Sequence, residues 1–326
     1  MTEIVTFGEA MVRLAPPHFQ RIEQARQFDI EIGGAELNTA VGLARLGRSA
    51  AWVSRLPDNA LGRLVANRVC EAGVEPHVDF AADGRCGLYF LEFGAAPRAS
   101  SILYDRKDSS IARVEPGAFD WPTIFQGAKW FHVTGITPAL GENVAAATAE
   151  ALVAARAAGL RTSMDLNYRS KLWSREVAGR TLAELLPGMD LLLASEPDAD
   201  QLFGITGQDF AEVAERLVDR FGLTMVAGVR RQTPLVWRNT FGGIGYSVGH
   251  TFTTADFEVE IVDRLGAGDA FAAGVIHGIL EGDFPRGLEI GAAMGALKHS
   301  IPGDLPWIAK EEVDELLKGQ GLRIRR

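Results

Sequence analysis

The run Asp263-Arg264-Leu265-Gly266-Ala267-Gly268-Asp269 leads straight into the apolar segment Ala270-Phe271-Ala272-Ala273-Gly274-Val275. Small residues at this point let the backbone turn sharply and bring successive N–H groups close to a ligand. A helix that opens here has N–H groups without intrahelical partners and a dipole favouring negative charge. Such a turn is an anion cradle. Asp269 then lies at its rim, badly placed to hold a phosphate and well placed to take the proton of a hydroxyl attacking one. A plain helix cap after an ordinary glycine turn would use the same letters. A second element, from Gly33-Gly34-Ala35-Glu36-Leu37-Asn38 to Leu46-Gly47, again reads as turn, helix and glycine stop.

Taken together, the two elements resemble the signature regions of the PfkB (ribokinase-like) sugar kinases. The first signature has two glycines, an Asn four residues after the second, and a small-residue helix ending in Leu-Gly. The second has an Asp and then Gly-Ala-Gly-Asp. The resemblance implies an α/β chain with a ribokinase-like three-layer α/β/α sandwich and a small antiparallel β lid. Residues 1–326 would form a single kinase domain, with lid strands inserted from roughly 10–35 and 85–110.

Composition narrows the function classes. With 326 residues, 47% of them hydrophobic, the chain can bury a sizeable core. A formal charge of −9 argues against a general nucleic-acid or membrane-surface binder, yet leaves room for a local positive cradle. Cys70 and Cys86 make no disulfide framework and read as reduced core thiols. The acidic, strand-like Met1–Glu9 has no basic leader pattern, and no stretch approaches a membrane span, so a cytoplasmic protein is expected. The six histidines lack metal-ligand spacing, and His132 and His299 read as core or helix residues.

Along the chain, Ile4–Phe7 and Ala51–Ser54 read as strands, and Cys86–Tyr104 as antiparallel strands around a Gly/Pro turn. From Lys129 onward the pattern alternates. Strands are expected at Trp130–Val133, Arg161–Leu166, Leu191–Ala194 and Thr224–Ala227. Helices are expected at Glu142–Ala158, Ala178–Leu186 and Phe210–Phe221. This alternation implies βαβ units, a parallel sheet covered on both faces, and ligands at the carboxyl ends of its strands. Gly242-Gly243-Ile244-Gly245 follows no strand-to-helix unit and reads as a loop.

Further segments are similar to the 2-keto-3-deoxygluconate kinases within that family. They include Gly8-Glu9-Ala10-Met11-Val12-Arg13-Leu14, Tyr104-Asp105-Arg106, Asp165-Leu166-Asn167-Tyr168-Arg169 and Leu297-Lys298-His299 through Asp304. The resemblance implies Asp269 as general base, with Gly266, Ala267 and Gly268 as the anion hole. It implies Gly34, Tyr89, Tyr104, Arg106, Arg169 and Asp304 around the sugar acid, and Asn167, Ser195, Gly228, Arg230, Gly266 and Gly268 around the nucleotide. Asp263 would order the loop or a bound cation. Two guanidinium groups suit a carboxylate, which planar arginines bind bidentately. ATP and Mg2+ are the expected cofactors, with a monovalent cation left open; a sugar acid is the expected partner and a homo-oligomer the expected assembly.

Two stretches depart from the family's pattern. Where it has Asn-x-x-Glu, this chain has Ser195-Glu196-Pro197-Asp198, which leaves Asp198 as the metal candidate. The nucleotide-side strand runs Val226-Ala227-Gly228-Val229-Arg230-Arg231-Gln232-Thr233 without the usual glycine-containing Thr loop. Phosphorylation of 2-keto-3-deoxygluconate at its 6-hydroxyl is the leading reading. A kinase for another sugar such as fructose and a non-catalytic sugar-binding regulator are the alternatives. A dinucleotide oxidoreductase is disfavoured, because no Gly-x-Gly-x-x-Gly follows the first strand.

Overall fold

Alternate residues along the central strands belong to different cores, which defines the architecture. Ile4, Trp130, Leu191, Met225 and Ala227 pack into one apolar cluster, while Val5, Phe131, Leu192 and Val226 pack into another. A strand apolar on both faces has to be covered on both faces. The computed structural model describes residues 2–235 and 238–319, without the side chains of 232–235, so the Thr233 side chain singled out above lies outside the described residues.

Strands β1 (Ile4–Phe7), β2 (Met11–Ala15), β3 (Asp29–Gly33), β4 (Ala50–Pro57), β5 (Glu75–Ala81), β6 (Gly87–Glu92) and β7 (Ser101–Asp105) occupy the first third of the chain. The others are β8 (Trp130–Thr134), β9 (Arg161–Asp165), β10 (Leu191–Leu193), β11 (Met225–Leu235), β12 (Arg238–Ser247), β13 (His250–Thr253) and β14 (Phe257–Glu260). The large sheet runs β13-β12-β11-β10-β9-β8-β1-β4-β5, with β14 also on β12. From β5 to β11 every pairing is parallel. The chain order runs one way from β1 to β5 and the other way from β8 to β11. The reversal point therefore lies between β1 and β8, the place where sheets of this kind bind ligands at the carboxyl ends of their strands.

One face is covered by α1 (Ala35–Arg45), α2 (Ala60–Glu71), α8 (Ala267–Leu280) and α9 (Phe284–Lys298). The other carries α3 (Trp121–Ile124), α4 (Glu142–Ala157), α5 (Arg175–Leu185), α6 (Glu196–Phe203) and α7 (Phe210–Phe221), and α10 (Lys310–Leu317) lies against α9. Helices α8 and α9 cross closely because glycines meet at the seam. A Cβ on Gly274 or Gly278 would collide with the backbone of Gly291 or Gly287.

A second sheet runs β3-β2-β6-β7. Its outer pairings are antiparallel as expected, but β2 pairs β6 in parallel. The reason lies in the large sheet. β1 and β5 point the same way there, so the segments leaving their ends set out in the same direction. Two other expectations are corrected. Gly242–Gly245 is part of β12 and not a loop: Cβ atoms on Gly243 and Gly245 would stand 2.8 Å from Phe271 and 2.6 Å from Leu288 and Phe284, so the glycines let the strand press onto α8 and α9. Cys70 is exposed on the outer side of α2, and only Cys86 is buried.

Candidate active site

The turn expected to cradle an anion stands at the start of α8, which begins at Ala267, three residues before the apolar segment that opens at Ala270. Gly266 has φ of 80°, the left-handed region, and a Cβ there would collide with the Asp304 carbonyl. Glycine is required on both counts. Gly268 is different: a Cβ on it would meet open space. The N–H groups of Gly268 and Asp269 have no acceptor among the described residues. Asp269, the third residue of α8, is buried and not at the rim. Asn38 on α1 donates from Nδ2 to Asp269 Oδ2 at 2.7 Å. Burial pushes the Asp269 carboxyl up to about 6, with the Asn38 hydrogen bond and the Arg169 charge acting in the opposite direction. That places it within the working range of a base at neutral pH.

Two further carboxylates stand at the neighbouring strand ends. Asp165 closes β9 and is lifted to about 7, first by burial and then by the charges of Asp269 and Asp198. Its Oδ1 accepts from the N–H of Asn167, which turns the chain at φ of 39°. Ser195 caps α6, accepting from the Asp198 N–H at 3.2 Å and donating its hydroxyl to Asp198 Oδ2 at 2.6 Å. The departure from Asn-x-x-Glu therefore still delivers a carboxylate to the strand end. No cluster of three or more His, Cys, Asp or Glu poised to hold a metal exists among the described residues.

Beside the small sheet, Tyr89 and Asp304 come together, with Tyr89 OH donating to Asp304 Oδ2 at 2.6 Å. Arg13 on β2 completes the group, with Nη1 on Asp304 Oδ1 and Nη2 on Asp263 Oδ2, each at 2.7 Å. Asp263 thus meets an arginine of the small sheet, while its Oδ1 accepts from the Leu265 N–H of its own loop. The Arg106 guanidinium is paired with the buried carboxylate of Glu9, which also accepts from Ser109 Oγ at 2.6 Å. Arg106 and Lys171 each stand 5.8 Å from the centre of the half-exposed Tyr104 ring. Lys171 belongs to the loop that carries Arg169, so this loop meets the small sheet at Tyr104. Arg169 itself is exposed and makes no ion pair among the described residues, while its charge bears on Asp165 and Asp269. Gly34 has a structural reason to be glycine, since a Cβ would collide with the Glu9 carbonyl.

Arg230 is committed elsewhere, donating to Asp256 at 2.5 Å and to the Thr254 carbonyl at 3.2 Å. Its neighbour Arg231 points to the other face of β11. It stands 5.1 Å from the Phe241 ring, and its charge interacts with Arg264, Asp165 and Asp269. Gly228 lets β11 pass the end of β10, because a Cβ would sit 2.7 Å from the Ala194 carbonyl. A cavity of about 770 Å³ is lined by Arg13, Asp263, Phe93 and Gly303, but not by Asp269 or Arg169. It adjoins the loop that begins at Asp263.

The family model for the pfkB family carbohydrate kinases matches residues 1–304. The chain belongs to that family. It is 39% identical to a 2-dehydro-3-deoxygalactonokinase of Haloferax volcanii, over 99% of both chains. It is 29% identical to a 2-dehydro-3-deoxygluconokinase of Bacillus subtilis, over 98% of this chain and 96% of that one. The crystal structure of a 2-dehydro-3-deoxygluconokinase from Thermotoga maritima superposes with a TM-score of 0.94 at 38% identity, covering 98% of each chain. The ribokinase-like α/β fold read from the sequence is the one observed.

Within this pfkB kinase, sequence reasoning left three contributors unassigned. Asn38 stands in the first glycine-rich element, and its spacing from Gly34 was the available signal. Asp165 opens the Asp-Leu-Asn stretch and could have been read as a strand-end acid. Arg13 stands in one of the segments similar to the sugar-acid kinases, but its pairing had no local signal, because its partners lie about 250 and 291 residues away in the chain.

Proposed function

We propose that this pfkB kinase transfers the γ-phosphoryl group of ATP to the 6-hydroxyl of 2-keto-3-deoxygluconate, giving 2-keto-3-deoxy-6-phosphogluconate and ADP. One observation carries the reading. A buried carboxylate, Asp269, stands in the first turn of a helix, and among the described residues the Gly268 and Asp269 N–H groups have no acceptor and the nearby Arg169 has no ion-pair partner. The first pair suits phosphoryl transfer to a hydroxyl, and the arginine suits an acid at the other end of the substrate.

In this scheme Asp269 takes the proton of the 6-hydroxyl as its oxygen bonds to the γ-phosphorus and the bond to the ADP oxygen breaks. The Gly268 and Asp269 N–H groups face the charge gathering on the phosphoryl oxygens. Asn38 holds the carboxylate of Asp269 in position. Arg169 receives the substrate carboxylate. Arg106 shares its charge with Glu9 and reinforces that end, with Tyr104 between the two loops. The small sheet serves as the lid, and Tyr89 and Asp304 lie beneath it. The hard oxygens of Asp198 and Asp165 suit Mg2+, which is commonly held by one or two carboxylates plus phosphates. Bound there, the ion would neutralise phosphate charge. No helix among the described residues is long and apolar enough to cross a membrane, and the reading keeps the kinase in the cytoplasm.

The test is ADP release across 2-keto-3-deoxygluconate, its galactonate epimer, gluconate and fructose, with wild type and Arg169→Met. A hydrogen bond to a charged group is worth about 1.5–3 kcal/mol, so the variant should lose about tenfold or more in kcat/KM for the keto acid. It should lose much less for a neutral hexose. Equal losses for both substrates, or a wild type that prefers fructose, would move the function to another sugar. A preference for the galactonate epimer would keep the mechanism and change the substrate name to that of the Haloferax relative.

A further inference from the structure

The scheme above leaves the buried cation Lys298 unused. Lys298 closes α9 and is fully buried. Its Nζ donates to the Ile301 carbonyl at 2.9 Å and reaches the Asp263 carbonyl at 3.5 Å. Asp263 opens the loop that feeds the anion turn, and all of its polar atoms are engaged. Its N–H donates to the His299 carbonyl at 3.0 Å. Oδ1 accepts from the Leu265 N–H, and Oδ2 accepts from the Gly303 N–H, both at 3.1 Å. Oδ2 also faces Arg13 Nη2, and the carbonyl is left to Lys298.

The next link reaches the site. Gly303 leads to Asp304, whose carbonyl fills the space where Gly266 would carry a Cβ. The shape of the Gly266 turn therefore depends on where residues 298–304 stand, and Lys298 ties that segment to Asp263. Burying an ammonium is costly, and an apolar side chain of similar size would avoid the cost. Here the charge has a use, because two main-chain carbonyls converge on one point. Carbonyl oxygens gathered in this way are also the ligand type that a monovalent metal ion takes in exchange for water. Asp263, Asp304 and Asp269 favour the charged form of Lys298, against burial and the charge of Arg13.

We propose that the Lys298 ammonium is a built-in cation behind the anion turn, holding the Asp263–Gly268 loop in its transfer-competent shape in place of a dissociable monovalent ion. Lys298 is fully enclosed, with its Nζ on main-chain carbonyls, so it is a positioning residue. The inference rests on the phosphoryl-transfer reading of the Gly266–Gly268 turn. It accounts for the monovalent cation that the sequence left open: the site such an ion would take is already filled by the chain.

The experiment compares wild type with Lys298→Met in the chloride salts of tetramethylammonium, sodium, potassium and ammonium, at a common ionic strength of about 0.1 M to fix screening. Wild-type kcat should change by less than about twofold across the series. Lys298→Met should lose about tenfold or more in kcat, with KM for the sugar acid within about threefold, and should regain at least about threefold in potassium or ammonium. The melting temperature of the variant should rise in the same two salts, while that of wild type stays level. A potassium-dependent wild type overturns the proposal. So does a folded Lys298→Met of normal rate, or one whose loss no small cation relieves. If the methionine variant does not fold, the wild-type series and Lys298→Gln decide by the same criteria. A wild type that releases no ADP from any sugar acid defeats the kinase reading instead, and the melting series still answers for the cation.

Discussion

Replacing Asn38 by leucine removes one hydrogen bond from the proposed base while keeping the bulk of the side chain. The Asn38 Nδ2 to Asp269 Oδ2 distance is 2.7 Å between two buried groups. The bond favours the carboxylate over the carboxylic acid, so its loss raises the Asp269 pKa. A hydrogen bond to a charged group contributes about 1.5–3 kcal/mol. At about 1.4 kcal/mol for each tenfold in proton affinity, the carboxyl should move from about 6 to between about 7 and 8. A base must be ionised to work, so the acid limb of the kcat–pH profile should shift to higher pH by the same amount. At pH 7 the ionised fraction would fall from about nine-tenths to between about a half and a tenth. Much of the loss should disappear at pH 9. The assay is ADP release under saturating substrates from pH 5 to 9, with the melting temperature followed in parallel. An acid limb that stays in place, or a loss of rate equal at every pH, would refute the idea that this bond sets the ionisation of the base.

Asp269→Asn should lower turnover by about 10²–10⁴-fold, measured as ADP release, while sugar binding by calorimetry is largely kept. The same variant carries a stability consequence. Burial lifts the Asp269 carboxyl from 3.8 to about 6, so the folded state holds this proton more tightly than the unfolded state does. Stability from this group is present below pH 3.8 and declines as pH rises through 6, leaving a cost of up to about 3 kcal/mol at pH 7. Asp269→Asn should therefore melt at or above the wild-type temperature at pH 7, and a clear drop would contradict the account. The two glycines of the anion turn should also behave oppositely. Gly268→Ala has room for its methyl group and gains helix propensity of about 1 kcal/mol, so it should fold normally yet lose phosphoryl transfer. Gly266→Ala meets both an unfavourable φ and the Asp304 carbonyl, and should lose stability in thermal unfolding by more than about 1 kcal/mol.

Much of this arrangement was readable from local patterns. Apolar runs such as Trp130–Val133 and Leu191–Ala194, alternating with alanine-rich helical stretches, were enough for a parallel sheet covered on both faces. The glycines around Ala267 were enough for a sharp turn into a helix. What escaped depended on partners far away in the chain. Arg13 looks like any strand arginine until the fold brings Asp263 and Asp304 to it. Arg230 and Arg231 are adjacent in sequence, but a strand turns neighbours to opposite faces, and the choice between them required the register of β11 against β12. Gly242–Gly245 read as a loop because it follows no strand-to-helix unit, and glycine by itself weakens a strand. Here Phe271, Phe284 and Leu288 supply the contacts that its side chains lack. The parallel β2–β6 pairing has no local signal, since it follows from the direction in which two distant segments leave the large sheet.

The bridge of Arg13 and Tyr89 to Asp304, with Arg13 also on Asp263, has a consequence for how such an enzyme can change its substrate. β2 and β6 supply Arg13 and Tyr89, while Asp263 and Asp304 border the anion turn. The small sheet is therefore not a portable part. A chimaera carrying another kinase's sheet would exchange the residues above the sugar and, in the same stroke, remove the counter-charge from Asp263 and Asp304. Its rate should fall even on a sugar that the borrowed sheet fits well. New specificity would be reached more easily by single changes at Tyr104 or Arg169, on the rim, than by grafting the sheet whole.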